Sequence, residues 1–276
     1  MLRTRVLTAI VLIVFLLIII LFSSPFIFAC ISAGVMACAA AEWCKLAGFK
    51  TAWGRVLAFI SMPIILFSFF AILHALGISH ISNLEAIKTD IAYFVLGFWI
   101  LASVGLAIYP KGRIFYQSKH FNLLIGLFIL VPTWASVFAL FSVSTTWLLY
   151  PIVLVCLADT AAYFAGRKWG KHKLAPLISP SKTWEGVMGA MLCTLIVAVI
   201  SYFMFEIRTA FLPWALLNVI TVLFSIVGDL FESLFKRQQH LKDSGVLLPG
   251  HGGILDRIDS MTAALPIFTI GLMLFL

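Results

Sequence analysis

Residues 6–41 read VLTAIVLIVFLLIIILFSSPFIFACISAGVMACAAA. No charge falls between Arg5 and Glu42, and a helix needs only about 20 mainly apolar residues to cross a bilayer. The stretch is therefore either two short spans that turn at Ser23-Ser24-Pro25 or one long kinked helix. Proline lacks the amide hydrogen that a helix interior uses, so Ser-Ser-Pro is a natural break between two helices. The choice decides on which side of the membrane every later loop lies. Arg3 and Arg5 before an apolar run also look like the start of a signal peptide. The run outlasts an ordinary signal core, which favours an uncleaved first span.

The rest of the 276-residue chain has the same character. It is 63% hydrophobic and only 11% charged, too little charge for a soluble domain of this size. Spans are expected near 6–23, 26–41, 56–77, 91–109, 121–142, 146–165, 187–205, 211–229 and 258–276. The fold class is thus an all-α polytopic membrane protein with about nine transmembrane helices. If the N-terminus is cytoplasmic, all of the 19 Lys and Arg residues except Lys88 and Arg208 lie on the cytoplasmic side. A single kinked helix at the start would leave only Arg3, Arg5, Lys88 and Arg208 there. The positive-inside rule selects nine spans, with the C-terminus outside. The net charge of +8 then records orientation, and nucleic acid is not needed as a partner.

The chain reads as one membrane-embedded unit, 1–276. Residues 1–142 are expected to supply helices for packing, dimer contact and lipid access, and 146–276 the helices and cytoplasmic loops that carry any chemistry. The five cysteines show no C-x-x-C spacing and read as small hydrophobes. There is no H-E-x-x-H and no G-x-S-x-G, which speaks against a zinc site and a serine hydrolase.

Charge gathers in three places. In GDLFESLFKRQQHLKDSG, 228–245, Asp229, Glu232, Ser233 and Lys236 follow i, i+3, i+4, i+7 and share one helix face, opposite Leu230, Phe231, Leu234 and Phe235. The eighth span should continue past the membrane as an amphipathic helix, its polar face either solvated or functional. In LPGHGGILDRIDS, 248–260, Asp256, Asp259 and Ser260 share a face at the start of the last span. The simple reading is a negatively charged first turn with Arg257 as counter-ion. Carboxylates at bilayer depth also mark sites, and Gly250, Gly252 and Gly253 allow amides to crowd around an anion. With Lys236, Arg237, Lys242 and Arg257 they suit phosphates.

The third place is LADTAAYFAGRKWGKHKLAPLISPSKTWEG, 157–186. Asp159 lies in the inner half of the sixth span. Arg167, Lys168, Lys171 and Lys173 read as topology determinants or head-group contacts. Lys182, between Ser181 and Thr183, is either another of these or a phosphate ligand. Thr183 fits a cap for the seventh span.

Oxygen ligands, cations and hydroxyls at one membrane face suit Mg²⁺, which binds through one or two carboxylates plus substrate phosphates. That combination fits phosphoryl or nucleotidyl transfer at a lipid head group. An ion-coupled transporter is the competing class, but nothing comparable sits at mid-bilayer in several helices.

Three runs carry a family resemblance: Ser233-Leu-Phe-Lys236-Arg237, then Lys242-Asp243-Ser-Gly245, then Leu248-Pro-Gly-His251-Gly252-Gly253-Ile-Leu-Asp256-Arg257-Ile-Asp259. Together they resemble the signature of the phosphatidate cytidylyltransferases, or CDP-diacylglycerol synthases. Ala158-Asp159, Lys171-His-Lys-Leu-Ala-Pro and Ser179-Pro-x-Lys182-Thr-Trp are similar to the bacterial members, as is Glu42-Trp43. The resemblance implies that CTP and phosphatidic acid give CDP-diacylglycerol and pyrophosphate, with Mg²⁺ and a possible second cation. It also implies a homodimer in the bacterial inner membrane with its site facing the cytoplasm. It puts the metal on Asp229 and Asp256, and makes Ser233 and Lys236 active-site positions.

On that footing Lys236, Arg257 and the Gly252 and Gly253 amides are expected to stabilise pyrophosphate, with Lys182, Arg237 and Lys242 near phosphate. His251 either donates to a phosphate or protonates pyrophosphate. Asp159, Glu232, Asp243 and Asp259 are further ligands or partners that orient the lysines. A CTP-dependent lipid kinase remains the nearest alternative.

Overall fold

The computed structural model describes residues 2–75, 85–111, 117–248 and 250–275. His80, Arg113 and Pro249 lie outside the described residues, as do the side chains of Arg3, Arg5, His74 and Lys88. Among the described residues the chain forms nine helices. They are α1 (Leu2–Phe22), α2 (Pro25–Leu46), α3 (Ala52–Ala75), α4 (Glu85–Ala107), α5 (Lys119–Val143), α6 (Thr145–Trp169), α7 (Trp184–Met204), α8 (Phe211–Gln238) and α9 (Leu255–Phe275). Each expected span overlaps a helix of its own. Seven of them are long and apolar enough to cross a membrane among the described residues, while the apolar stretches Ile10–Phe22 and Ala92–Ala107 are shorter. The chain is an all-α polytopic membrane protein.

The helix breaks where Ser-Ser-Pro predicts. α1 stops at Phe22, and α2 starts at Pro25 with the Ser24 side chain accepting the Ile27 N–H at 3.4 Å. Near the start of α1, Thr8 Oγ1 lies 2.7 Å from His251 Nδ1, and near the end of α2 Glu42 accepts the Leu255 N–H at 2.9 Å. One end of each helix thus reaches the same loop. The two run away from it and back, whereas a single kinked helix would carry Thr8 and Glu42 to opposite ends. Helix ends overrun the expected spans wherever polar residues continue the helical face: α2 reaches Leu46, α8 reaches Gln238 and α9 begins at Leu255.

α6 packs closely on α7, and α8 on α9. Small residues permit the first contact: a Cβ on Gly186 would stand 2.9 Å from the Ala162 carbonyl oxygen, and one on Gly189 would overlap the Ala165 methyl. α5 touches both α2 and α9, so the two halves of the sequence share one core around Trp43, Trp99, Trp134, Phe231 and Phe235. Trp43 lies in the space that a Cβ on Gly126 would fill, and its indole N–H donates to the Asn122 carbonyl at 2.8 Å. Outward-facing Leu101, Leu192 and Phe203 are 72%, 64% and 73% exposed, a surface suited to hydrocarbon rather than water.

The loop between α6 and α7 holds a hairpin of β1 (Lys173–Ala175) and β2 (Ser179–Thr183), antiparallel and irregular in register. Ile178 N–H closes its turn on the Ala175 carbonyl at 3.1 Å, with Pro176 at the position where a fixed φ suits a turn. Thr183 caps α7 by accepting the Gly186 N–H at 3.2 Å. Glu185 anchors the base of the hairpin through the His172 amide and ring, Nδ1 to Oε1 being 2.7 Å.

Candidate active site

α8 and α9 run antiparallel. Lys236 meets Asp256 at one level, and two turns away a Cβ on Gly228 would be 2.7 Å from the Asp259 carbonyl oxygen and 3.2 Å from the Ala263 methyl. The polar face of α8 therefore lies against Asp256, Asp259 and Ser260 of α9. Lys236 Nζ stands 2.8 Å from Asp256 Oδ1 and 3.1 Å from Glu232 Oε1. These three side chains are buried, at 9%, 5% and 4% exposure. One ammonium thus serves two carboxylates, and Glu232 Oε2 has no hydrogen-bond partner among the described residues. Such an arrangement is costly for a monovalent balance, because a buried charge needs a partner for its full value.

At the next level along α8, Asp229 Oδ2 is 2.6 Å from Lys182 Nζ, and the Ser233 hydroxyl donates to Asp229 Oδ1 at 3.3 Å. The hairpin delivers Lys182 from β2, which is why a short, irregular piece of sheet matters to a helical protein. The Ser260 hydroxyl donates to Asp159 Oδ2 of α6 at 3.4 Å. Asp159 lies within electrostatic reach of Lys182 and Asp229, and Asp259 within reach of Asp229, Lys236 and Lys182. The seam holds five carboxylates, Asp159, Asp229, Glu232, Asp256 and Asp259, against two lysines.

Asp256 and Asp229 sit at different levels, each with its own lysine, rather than facing each other directly. Among the described residues, no three acidic, histidine or cysteine side chains converge on one point. The donor set still fits Mg²⁺, which needs only one or two carboxylates when phosphates complete its shell. The excess of carboxylates over lysines and the unpartnered Glu232 oxygen are the observations that favour a cation there.

In and beside the loop between α8 and α9, the Gly253 amide and the Arg237 guanidinium are engaged within the protein. Gly253 N–H donates to Asp256 Oδ2 at 2.9 Å, so this amide is committed to a carboxylate and not offered to phosphate. Gly252 has φ +82°, and a Cβ there would stand 2.7 Å from Asp256 Oδ2, so it serves the turn and the close approach. Arg237 donates to the carbonyls of Ile178 and Leu241, both at 3.1 Å, and ties the hairpin to α8 instead of pointing a free guanidinium at the seam. His251 is held by Thr8. Lys242, Asp243 and Arg257 are exposed, outside the buried part of the seam.

Two residues that the charge pattern did not single out complete the site. Ser244 is buried and donates its N–H to Asp256 Oδ2 at 2.9 Å. Glu42 accepts hydrogen bonds from Ser244, Ile254 and Leu255. A signal for Glu42 was present: it is the first charge after a long apolar run, and a carboxylate at such a place needs a partner.

Comparison with known proteins bears on the chemistry. Residues 3–275 match the model of the cytidylyltransferase family. A phosphatidate cytidylyltransferase of Pseudomonas aeruginosa is 38% identical over 271 residues, 97% of this chain and 96% of that one. One of Haemophilus influenzae is 36% identical over 286 aligned residues, 98% of each chain. One of Staphylococcus haemolyticus is 48% identical over 124 residues, 45% of this chain and 48% of that one.

Proposed function

The chain belongs to the cytidylyltransferase family, and from that premise we propose that it is a phosphatidate cytidylyltransferase. It joins phosphatidic acid to the cytidylyl group of CTP, giving CDP-diacylglycerol and pyrophosphate. The observation that carries this reading is the carboxylate and lysine seam between α8 and α9, which ends an otherwise apolar bundle. One substrate comes from water and the other from lipid, and only such a boundary serves both.

Phosphatidate needs little activation. A phosphomonoester has a second pKa of about 6, so its oxygen attacks the α-phosphorus of CTP without a strong general base. The bond from the α-phosphorus to its bridging oxygen breaks, and pyrophosphate leaves. Lys182 and Lys236 carry the positive charge that stabilises the phosphates as charge develops. Ser233 orients Asp229, and the Gly253 and Ser244 amides orient Asp256. Asp229 and Asp256 would hold Mg²⁺, with Glu232, Asp259 and Asp159 as nearby carboxylates for orientation or a second cation. When bound, the metal supplies charge neutralisation at the triphosphate. A homodimer belongs to the same proposal and is supported by the resemblance of residues 233–259.

Purified protein with CTP, phosphatidate and Mg²⁺ is expected to release pyrophosphate only when phosphatidate is present. A phosphorylated lipid with CDP as the products would identify a lipid kinase, and uptake without CTP consumption a transporter. Either would overturn the reading. The proposed location is the bacterial inner membrane with the seam at the cytoplasmic face, supported by the distribution of Lys and Arg. A reporter fused to the C-terminus is expected outside the cytoplasm; a cytoplasmic reporter would reverse the orientation.

A further inference from the structure

We propose that Glu42, at the end of α2, is a positioning residue for the site: it holds the first turn of α9 and, through Ser244, sets which oxygen Asp256 presents. Its effect on turnover rests on the function proposed above; its effect on the loop does not.

A helix start leaves amides with no partner inside the helix, and its dipole favours negative charge. Here two carboxylates divide that work. Glu42 Oε1 accepts the Ile254 N–H at 3.0 Å and Oε2 accepts the Leu255 N–H at 2.9 Å. Asp256 Oδ2 accepts the N–H groups of Gly253 and Ser244, both at 2.9 Å. The Ser244 hydroxyl lies between the anions, 2.8 Å from Glu42 Oε2 and 3.0 Å from Asp256 Oδ2. Asp256 Oδ2 is thereby used up, and Oδ1 is left facing Lys236. Without Glu42, Asp256 would be the one carboxylate at this helix start, drawn toward the Ile254 and Leu255 amides and away from the seam.

The fit around Glu42 is close. A Cβ on Gly245 would overlap Glu42 Oε1, and one on Gly253 would overlap both Glu42 Oε2 and the Ser244 hydroxyl. Glycine at 245 and 253 therefore admits this carboxylate. The next residue fixes α2 itself: Trp43 bonds to the Asn122 carbonyl of α5 and packs on Phe235 of α8, with ring centroids 4.9 Å apart. The strut that shapes the site thus comes from the N-terminal half and is separated from Asp256 by most of the chain.

The test uses Glu42→Gln, Ser244→Ala and their double mutant in the full-length protein. Glu42→Gln replaces one acceptor oxygen by a donor and cannot satisfy all three partners. Residues that orient a metal ligand typically contribute about 10- to 100-fold, and kcat is expected to fall by that order with the KM values for CTP and phosphatidate nearly unchanged. Because both act through one carboxylate, the double mutant should lose no more than the worse single mutant. Wild-type-like kcat in Glu42→Gln, a loss confined to KM, or losses that multiply would each overturn the proposal. Should Glu42→Gln fail to fold, Ser244→Ala carries the kinetic test. If the wild type shows no phosphatidate-dependent turnover, the proposed function fails. The geometry is then read by tryptic cleavage after the exposed Lys242, expected to be faster in Glu42→Gln; equal rates would overturn the positioning role.

Discussion

Asp229→Asn and Asp256→Asn should each lower phosphatidate-dependent pyrophosphate release by at least about 10²- to 10³-fold, the scale on which one preorganised charge contact acts in a transition state. Both substitutions keep the side-chain size and remove the charge. In Asp229→Asn, the remaining oxygen can stay with Lys182 while the new amide N–H donates to the Ser233 hydroxyl, which turns to accept, so the hairpin and α8 stay in place while the seam loses a negative charge. In Asp256→Asn, the oxygen that takes the Ser244 and Gly253 amides survives if the new amide group turns toward Lys236, where it meets an ammonium instead of accepting from it. The measurement is pyrophosphate release at saturating CTP and phosphatidate across a Mg²⁺ titration. If both variants turn over near the wild-type rate at every Mg²⁺ concentration, neither aspartate belongs to a metal site.

Lys236→Met should be the most destabilising change in the seam. Lys236 is the ammonium paired with both Glu232 and Asp256. Removing one partner of a buried ion pair costs about 3–5 kcal/mol, because the other charge stays behind unpaired. Here two carboxylates remain, and methionine fills the volume without supplying a donor. Thermal unfolding in detergent should shift down clearly, and activity should be lost with it. A second substitution separates the two effects: Glu232→Gln in the Lys236→Met background removes one of the stranded charges. It should restore part of the thermal stability and none of the turnover. Unchanged unfolding in Lys236→Met would mean that the seam is wetter than its burial implies.

Much of this molecule is legible from local pattern. A charge-free run long enough to span, broken by Ser23-Ser24-Pro25, predicts two helices, and the chain turns there. The i, i+3, i+4, i+7 spacing from Asp229 to Lys236 predicts a helix that continues past the apolar segment, and α8 runs to Gln238. Thr183 as a cap was readable for the same reason, since a cap involves neighbours in sequence. The hairpin that carries Lys182 was not readable. Its strands are too short for alternation to register, and its turn, Ala175-Pro176-Leu177-Ile178, is marked by one proline among apolar residues that read like a piece of a span.

The sequence by itself determined the class of molecule, the number of helices and the breaks between them, and which residues of each helix share a face. Those properties follow from hydropathy, proline and helical periodicity, and all of them act within a few residues. Only the tertiary structure decided how the charges are shared. Lys236 pairs with Asp256 and Lys182 with Asp229 because α8 meets α9 on one side and the hairpin on another. The Gly253 amide, available in principle to a phosphate, belongs to Asp256 because Glu42 of α2 already holds the two amides that follow it. A carboxylate takes whatever donors packing brings within about 3 Å, and that choice is made by helices distant in sequence.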